Sequence, residues 1–187
     1  MTNILRPAIL LTIIFTALTG VAYPLAMTGL AQALFPVAAN GSLVQVNGQV
    51  VGSALIGQNF ASDKYFHGRP SAAGKDGYDA TSSSGTNLAP SSKALIDAVK
   101  QRVADLGGGP VPDDLVLSSA SGLDPDISPE GAYFQVSRVA KARNLDEAKI
   151  KALVASEVRQ PQLGILGEAH VNVLDLNLAL DKITSSP

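Results

Sequence analysis

The sequence predicts an α+β protein: a single N-terminal transmembrane helix followed by one mixed α+β domain on the outer side of the membrane. Three observations carry that prediction. Residues 8–34 form an uncharged apolar run of 27 residues, against the ~20 that cross ~30 Å of hydrocarbon as a helix. Charge is absent between Arg6 and Asp63, so 13 of the 14 basic residues and all 16 acidic ones lie beyond residue 62. Past the run, short β-prone and helical stretches follow in irregular order, without the repeated βαβ units of a doubly wound sheet. The organisation is therefore a cytoplasmic N-terminus at residues 1–7, a transmembrane helix at 8–34 and an extracytoplasmic α+β domain at 35–187.

Within the run, Gly20, Pro24 and Gly29 suit a membrane helix better than a soluble one. Thr19 or a neighbouring helix can satisfy the carbonyls they free, and small residues allow a partner helix to approach closely. Arg6 and the terminal amine precede the span while no cation follows it for many residues, which places the N-terminus inside. The competing reading is a cleaved signal peptide, since Ala31-Gln32-Ala33 spells an A-x-A site. The run, however, far exceeds an h-region of ~7 to 15 residues.

Residues 43–56 hold two β-prone stretches around Asn47-Gly48, which predicts a tight hairpin. Residues 68–90 are rich in Gly, Ser and Asp, and a long ordered loop of this kind is usually a contact surface. Ser91 or Ser92 then caps a helix whose Leu95, Val99, Val103 and Leu106 face the core, ended by three glycines at 107–109. Val111-Pro112 opens an extended stretch through Leu117. Ser128-Pro129-Glu130 starts a helix that runs to Arg143, with a hydroxyl cap, proline in the first turn and an acid at the positive dipole end. Asn144 caps a further helix carrying Ile150, Leu153, Val154 and Val158, stopped by Gln160-Pro161. Residues 170–180 fit strand alternation and helix spacing equally.

The composition excludes several chemistries. The part beyond residue 62 has 13 basic residues against 16 acidic ones, interspersed, so no basic stripe offers itself to nucleic acid. With no cysteine there are no disulfides, thiolate nucleophiles or thiolate metal sites. Gly52 to Gly57 has P-loop spacing, but Gln58-Asn59 stands where Lys and Ser or Thr must follow. Asp124, Asp126, Ser128 and Glu130 alternate like a calcium loop, yet Pro129 and Gln135 occupy the places that need Gly and a bidentate Glu. His67 and His170 are the only imidazoles, without a nucleophile elbow to accompany them. A P-type pump is phosphorylated within Asp-Lys-Thr-Gly-Thr, which neither Asp63-Lys64-Tyr65 nor Asp181-Lys182-Ile183 matches. One span also cannot enclose an ion path, which lies between several helices. No catalytic residue and no metal site is assigned.

Five blocks do resemble a known family. They are RPAILLTIIFTALTGVAYPLAMTGLAQALFP at the N-terminus, YFHGRPSAAG at 65–74, SSSGTNLAP at 82–90, VPDDLVLSSASGLDPDISPEGAYFQVSRVAKAR at 111–143 and LGEAHVNVLDLNLAL at 166–180. In this order they are similar to the C subunit of the Kdp potassium-transporting P-type ATPase. The chain departs from that pattern at Ser84-Gly85-Thr86, Ala89 and Ala169. The resemblance implies an accessory subunit of a bacterial inner-membrane potassium importer, with its C-terminal domain in the periplasm. Implied partners are a channel-like potassium-binding subunit, a P-type ATPase catalytic subunit and a small single-span peptide. The family is described as a catalytic chaperone that raises the ATP affinity of the catalytic subunit. ATP is the only ligand it implies, and with the domain outside that effect must be allosteric.

In such a subunit the interface candidates are the fixed polar turns Arg69-Pro70-Ser71, Asn87 and Gly122-Leu123-Asp124-Pro125. Phe66, His67, Gln135, Arg138 and Asn172, all in the family-like blocks, complete the set. Gly20, Pro24 and Gly29 are the candidates for packing within the membrane. The rival to this reading is a secreted or anchored hydrolase or binding protein using a histidine and the loop serines.

Overall fold

A computed structural model describes residues 2–185, which divide into two compact units, one ending at Val44 and the other beginning at Gln45. In the first unit, α1 (Thr2–Ala17), a π-helical turn (Leu18–Ala22) and α2 (Tyr23–Leu34) run on as one helical rod. Its stretch Ile4–Leu34 has 31 residues and holds an 18-residue window with a mean hydropathy of 2.0, long and apolar enough to cross a membrane. The π turn has a local cause. Pro24 has no N–H to give the Gly20 carbonyl and its ring crowds that turn, so the ladder widens and the Tyr23 amide bonds to the Leu18 carbonyl five residues back. Thr12, Thr19 and Thr28 each donate a hydroxyl to the carbonyl four residues earlier, at 2.8, 2.6 and 2.8 Å, which hides their polarity from an apolar surrounding. A short α3 (Pro36–Ala39) follows, where Asn40 and Gln32 exchange side-chain amide bonds.

The predicted hairpin forms from β1 (Leu43–Val46) and β2 (Gln49–Ser53). Asn47 and Gly48 both take positive φ, 53° and 78°, as this tight turn demands.

The second unit is built around three helices: α6 (Pro129–Arg143), α7 (Glu147–Glu157) and α8 (Val173–Ser185). A two-residue ribbon, β3 (Asp126–Ile127) antiparallel to β4 (Val171–Asn172), ties the start of α6 to the start of α8. Ala132, Val136, Val139 and Ala140 of α6 meet Ile150 and Val154 of α7 and Leu176 and Leu180 of α8 in one core, closed by Phe66 and Ile127. The Ser128 hydroxyl caps α6 through the Gly131 amide at 2.9 Å, as its sequence predicts.

Four local expectations are corrected or resolved. Residues 113–116 are the short helix α5 (Asp113–Val116), not an extended stretch; Pro112 fixes its entry and two acids stand at its positive end. The α4 helix (Lys93–Asp105) has no buried residue, so its apolar side lies half-exposed on the surface rather than in the core. Asn144 ends α6 in a left-handed conformation, which asparagine tolerates, and it is Asp146 that caps α7 through the Ala148 amide at 2.9 Å. Residues 170–180 are both things in turn, the two-residue strand β4 and then α8, where the Asn172 side chain receives the Asp175 amide.

Candidate interface and its frame

Residues 57–92 contain no helix and no strand, yet the body holds them in place. The Asn177 side chain in α8 accepts the Phe66 amide at 2.8 Å and donates to the Phe66 carbonyl at 3.0 Å. One residue on, Gln135 in α6 accepts the His67 amide at 2.8 Å and donates to the His67 carbonyl at 3.1 Å. Two side-chain amides thus act as the missing neighbours of an extended segment, one on each side. Asn177 and Gln135 are 1 % and 3 % exposed, so these bonds form away from water, where an unmade one is costly. Arg138 donates to the carbonyls of Asp63 and Tyr65 and to Gln135. Arg143 donates to the Lys64 carbonyl, pairs with Asp181 at 2.7 Å and lies over the Tyr65 ring at 4.7 Å.

From this clamp the chain enters residues 68–90, which are stitched to residues 117–125. Arg69 pairs with Asp124 at 3.0 Å. Ser71 donates its hydroxyl to the Gly122 carbonyl at 2.6 Å and accepts the amides of Ala73 and Tyr78. Ser83 and Ser84 donate to the carbonyls of Ser121 and Ala72. Gly122 has φ +66°, and a Cβ there would lie 2.6 Å from the Ser84 carbonyl oxygen, so only glycine fits. Tyr78 donates its hydroxyl to the Arg69 carbonyl at 2.6 Å; burial first, and Asp124 second, push its pKa to about 12, so it remains a donor.

The structure therefore brings Arg69, Pro70, Ser71, Gly122, Leu123 and Asp124 into one loop cluster, with Asn87 exposed on the same glycine-rich segment. Phe66, Gln135 and Asn172 lie inside, at 0 %, 3 % and 2 % exposure, where they hold the frame. Pro125 receives the Val173 amide at the foot of α8. Gly20, Pro24 and Gly29 lie on the helical rod, where a Cβ at either glycine would meet nothing within 4 Å. Sequence reasoning missed Asn177, Tyr78, Tyr65 and Arg143. A signal existed for Asn177, a polar residue inside the leucine-spaced face of α8.

Beside the clamp a cleft of about 530 Å³ opens between His67, Tyr78, Arg102 and Leu115. In this cleft His67 Nε2 lies 3.1 Å from the Ser62 carbonyl oxygen. His170 Nδ1 likewise lies 2.9 Å from the Glu168 carbonyl oxygen. Among the described residues no three His, Asp or Glu side chains gather to hold a metal ion. Burial first, and Arg138 second, hold the His67 pKa below its ordinary 6.5. The unfolded chain then binds a proton that the folded one refuses, so stability falls as pH drops below about 6.5. The melting temperature is expected to fall more steeply between roughly pH 7.5 and 5.5 in the wild-type chain than in His67→Asn. Parallel slopes would refute this assignment.

The comparisons with known proteins cover the frame and the rod together. The family model described as K+-transporting ATPase, c chain, matches residues 5–182. The chain belongs to the KdpC family. A potassium-transporting ATPase KdpC subunit from Bradyrhizobium diazoefficiens is 58 % identical, over 95 % of this chain and 96 % of the relative. That from Acidobacterium capsulatum is 57 % identical over 97 % of this chain and 99 % of its own length. The Dechloromonas aromatica KdpC subunit is 53 % identical over 98 % of this chain and the whole of its own. Family membership agrees with a chain that carries one candidate membrane helix and a mixed helix and strand remainder.

Proposed function

We propose that this chain is a non-catalytic, single-span subunit of an ATP-driven potassium importer, and that it assembles and stabilises the complex from the outer side of the bacterial inner membrane. The observation that carries this reading is a family match over residues 5–182, which takes in the apolar rod and the outer unit alike. Its partners would be the channel-like subunit, the catalytic P-type subunit and the small single-span peptide. The outer unit would lie over the channel-like subunit, presenting the turns at Arg69-Pro70-Ser71, Asn87 and Gly122-Leu123-Asp124. Gly20, Pro24 and Gly29 would be the positions of closest approach in the bilayer. The chain itself would need no cofactor. Any rise in the ATP affinity of the catalytic subunit would come through a bias on the pump's conformational states, because the outer unit and the nucleotide lie on opposite sides of the membrane.

Topology gives the test. A single cysteine introduced at Ser82 should react with a membrane-impermeant maleimide in intact spheroplasts. Labelling only after the membrane is breached would place the unit inside and end this reading, and with it the allosteric restriction on ATP.

A further inference from the structure

The two most exposed large apolar side chains among the described residues are in neither the rod nor the hairpin: they are Leu163, 89 % exposed, and Ile165, 81 % exposed, with Leu166 at 56 % beside them. They sit at the tip of a narrow double-stranded loop. At its base Arg159 and His170 exchange backbone bonds of 2.8 and 3.1 Å, and further out Gln162 and Leu166 exchange two of 2.9 Å. The tip itself is closed by the Gly164 amide on the Pro161 carbonyl and the Ile165 amide on that of Gln162. Leu163 adopts φ +55°, a conformation that costs a residue with a Cβ roughly 1 kcal/mol. The fold therefore holds three aliphatic side chains out in water in a fixed arrangement instead of laying them on its own surface.

We infer that this tip docks into an uncharged apolar pocket on the outer face of a large membrane subunit of the potassium-transporting ATPase, an inference that rests on the assembly role proposed above. Three properties select that occupant. Residues 160–167 contain no charge and no aromatic residue, whereas segments that settle into a lipid interface carry cations and Trp or Tyr. A bilayer is thus a poor match. A tip of three aliphatic side chains offers on the order of 400 Å², about half of the ~800 Å² per partner in a standard stable interface. A second copy of this chain meeting it tip to tip would not be held. A prearranged apolar knob loses little freedom on entering a pocket, so it adds affinity to a wider contact made by other parts of the subunit.

Two experiments on the full chain coexpressed with the other subunits test this. Benzoylphenylalanine in place of Ile165 should crosslink on illumination to one of the two large membrane subunits. Leu163→Asp combined with Ile165→Asp should lower the amount of this chain retained on the tagged catalytic subunit at least about tenfold, while leaving its melting temperature unchanged because both side chains are more than 80 % exposed. Crosslinks confined to lipid or to a second copy, or undiminished retention of the double variant beside a retained wild type, would overturn the inference and leave the assembly role standing. Loss of retention of the wild-type chain itself would overturn both.

Discussion

Replacing Asn177 by alanine is expected to lower the stability of the second unit by about 3 kcal/mol, a drop in melting temperature of roughly 10 °C. The residue is 1 % exposed and serves both backbone groups of Phe66, so its loss leaves a buried amide and a buried carbonyl without partners. Volume does not explain the expected effect. Asn177→Leu keeps most of the side chain yet supplies neither bond, and it should be nearly as damaging as Asn177→Ala. Hydrogen exchange gives a local readout, because the Phe66 amide should lose its protection ahead of the α6 helix. A leucine variant as stable as the wild type would show that packing, not the amide clamp, holds the segment. Since that segment leads into residues 68–90, the variants should also weaken retention in the complex.

Gly122→Ala carries the other large expected effect, about 3 kcal/mol. The added Cβ would lie 2.6 Å from the Ser84 carbonyl oxygen and 2.8 Å from the Ala73 amide nitrogen, and its φ of +66° is costly for alanine as well. Backbone cannot swing aside as a flexible side chain can, so the two loops must separate. Gly108→Ala is the control: φ there is also positive, 76°, but nothing lies within 4 Å. Only the conformational cost remains at that site, about 1 kcal/mol. Thermal unfolding of the two variants should therefore differ clearly. Equal losses would mean that the loop contact at Gly122 contributes nothing.

The legible parts of the fold were those in which one local signal had no competitor. The rod followed from 27 residues without a charge, the hairpin from Asn47-Gly48 and α6 from Ser128-Pro129-Glu130. The misread parts had two. Residues 111–117 are too few to separate a helical turn from a strand by periodicity, and Pro112 with two acids decided for the turn. Asn144 stands between two helices and suits either end; Asp146, two residues later, made the better N-cap. The frame around residues 57–92 was least legible, because its bonds join residues more than 60 positions apart: Gln135 with His67, Asn177 with Phe66. Sequence offered only the oddity of an amide on an apolar helical face. Arg69, Ser71, Gly122 and Asp124 could be picked out one by one as turn residues, but that they meet required the fold.

The most direct test of the central claim is purification of the full chain, tagged at its C-terminus, from membranes in mild detergent. The eluate should contain two large membrane subunits and hydrolyse ATP faster when potassium is added, and membranes lacking this chain should yield no such assembly from a tagged catalytic subunit. A chain recovered alone, or a potassium-stimulated ATPase that assembles fully without it, would contradict the account.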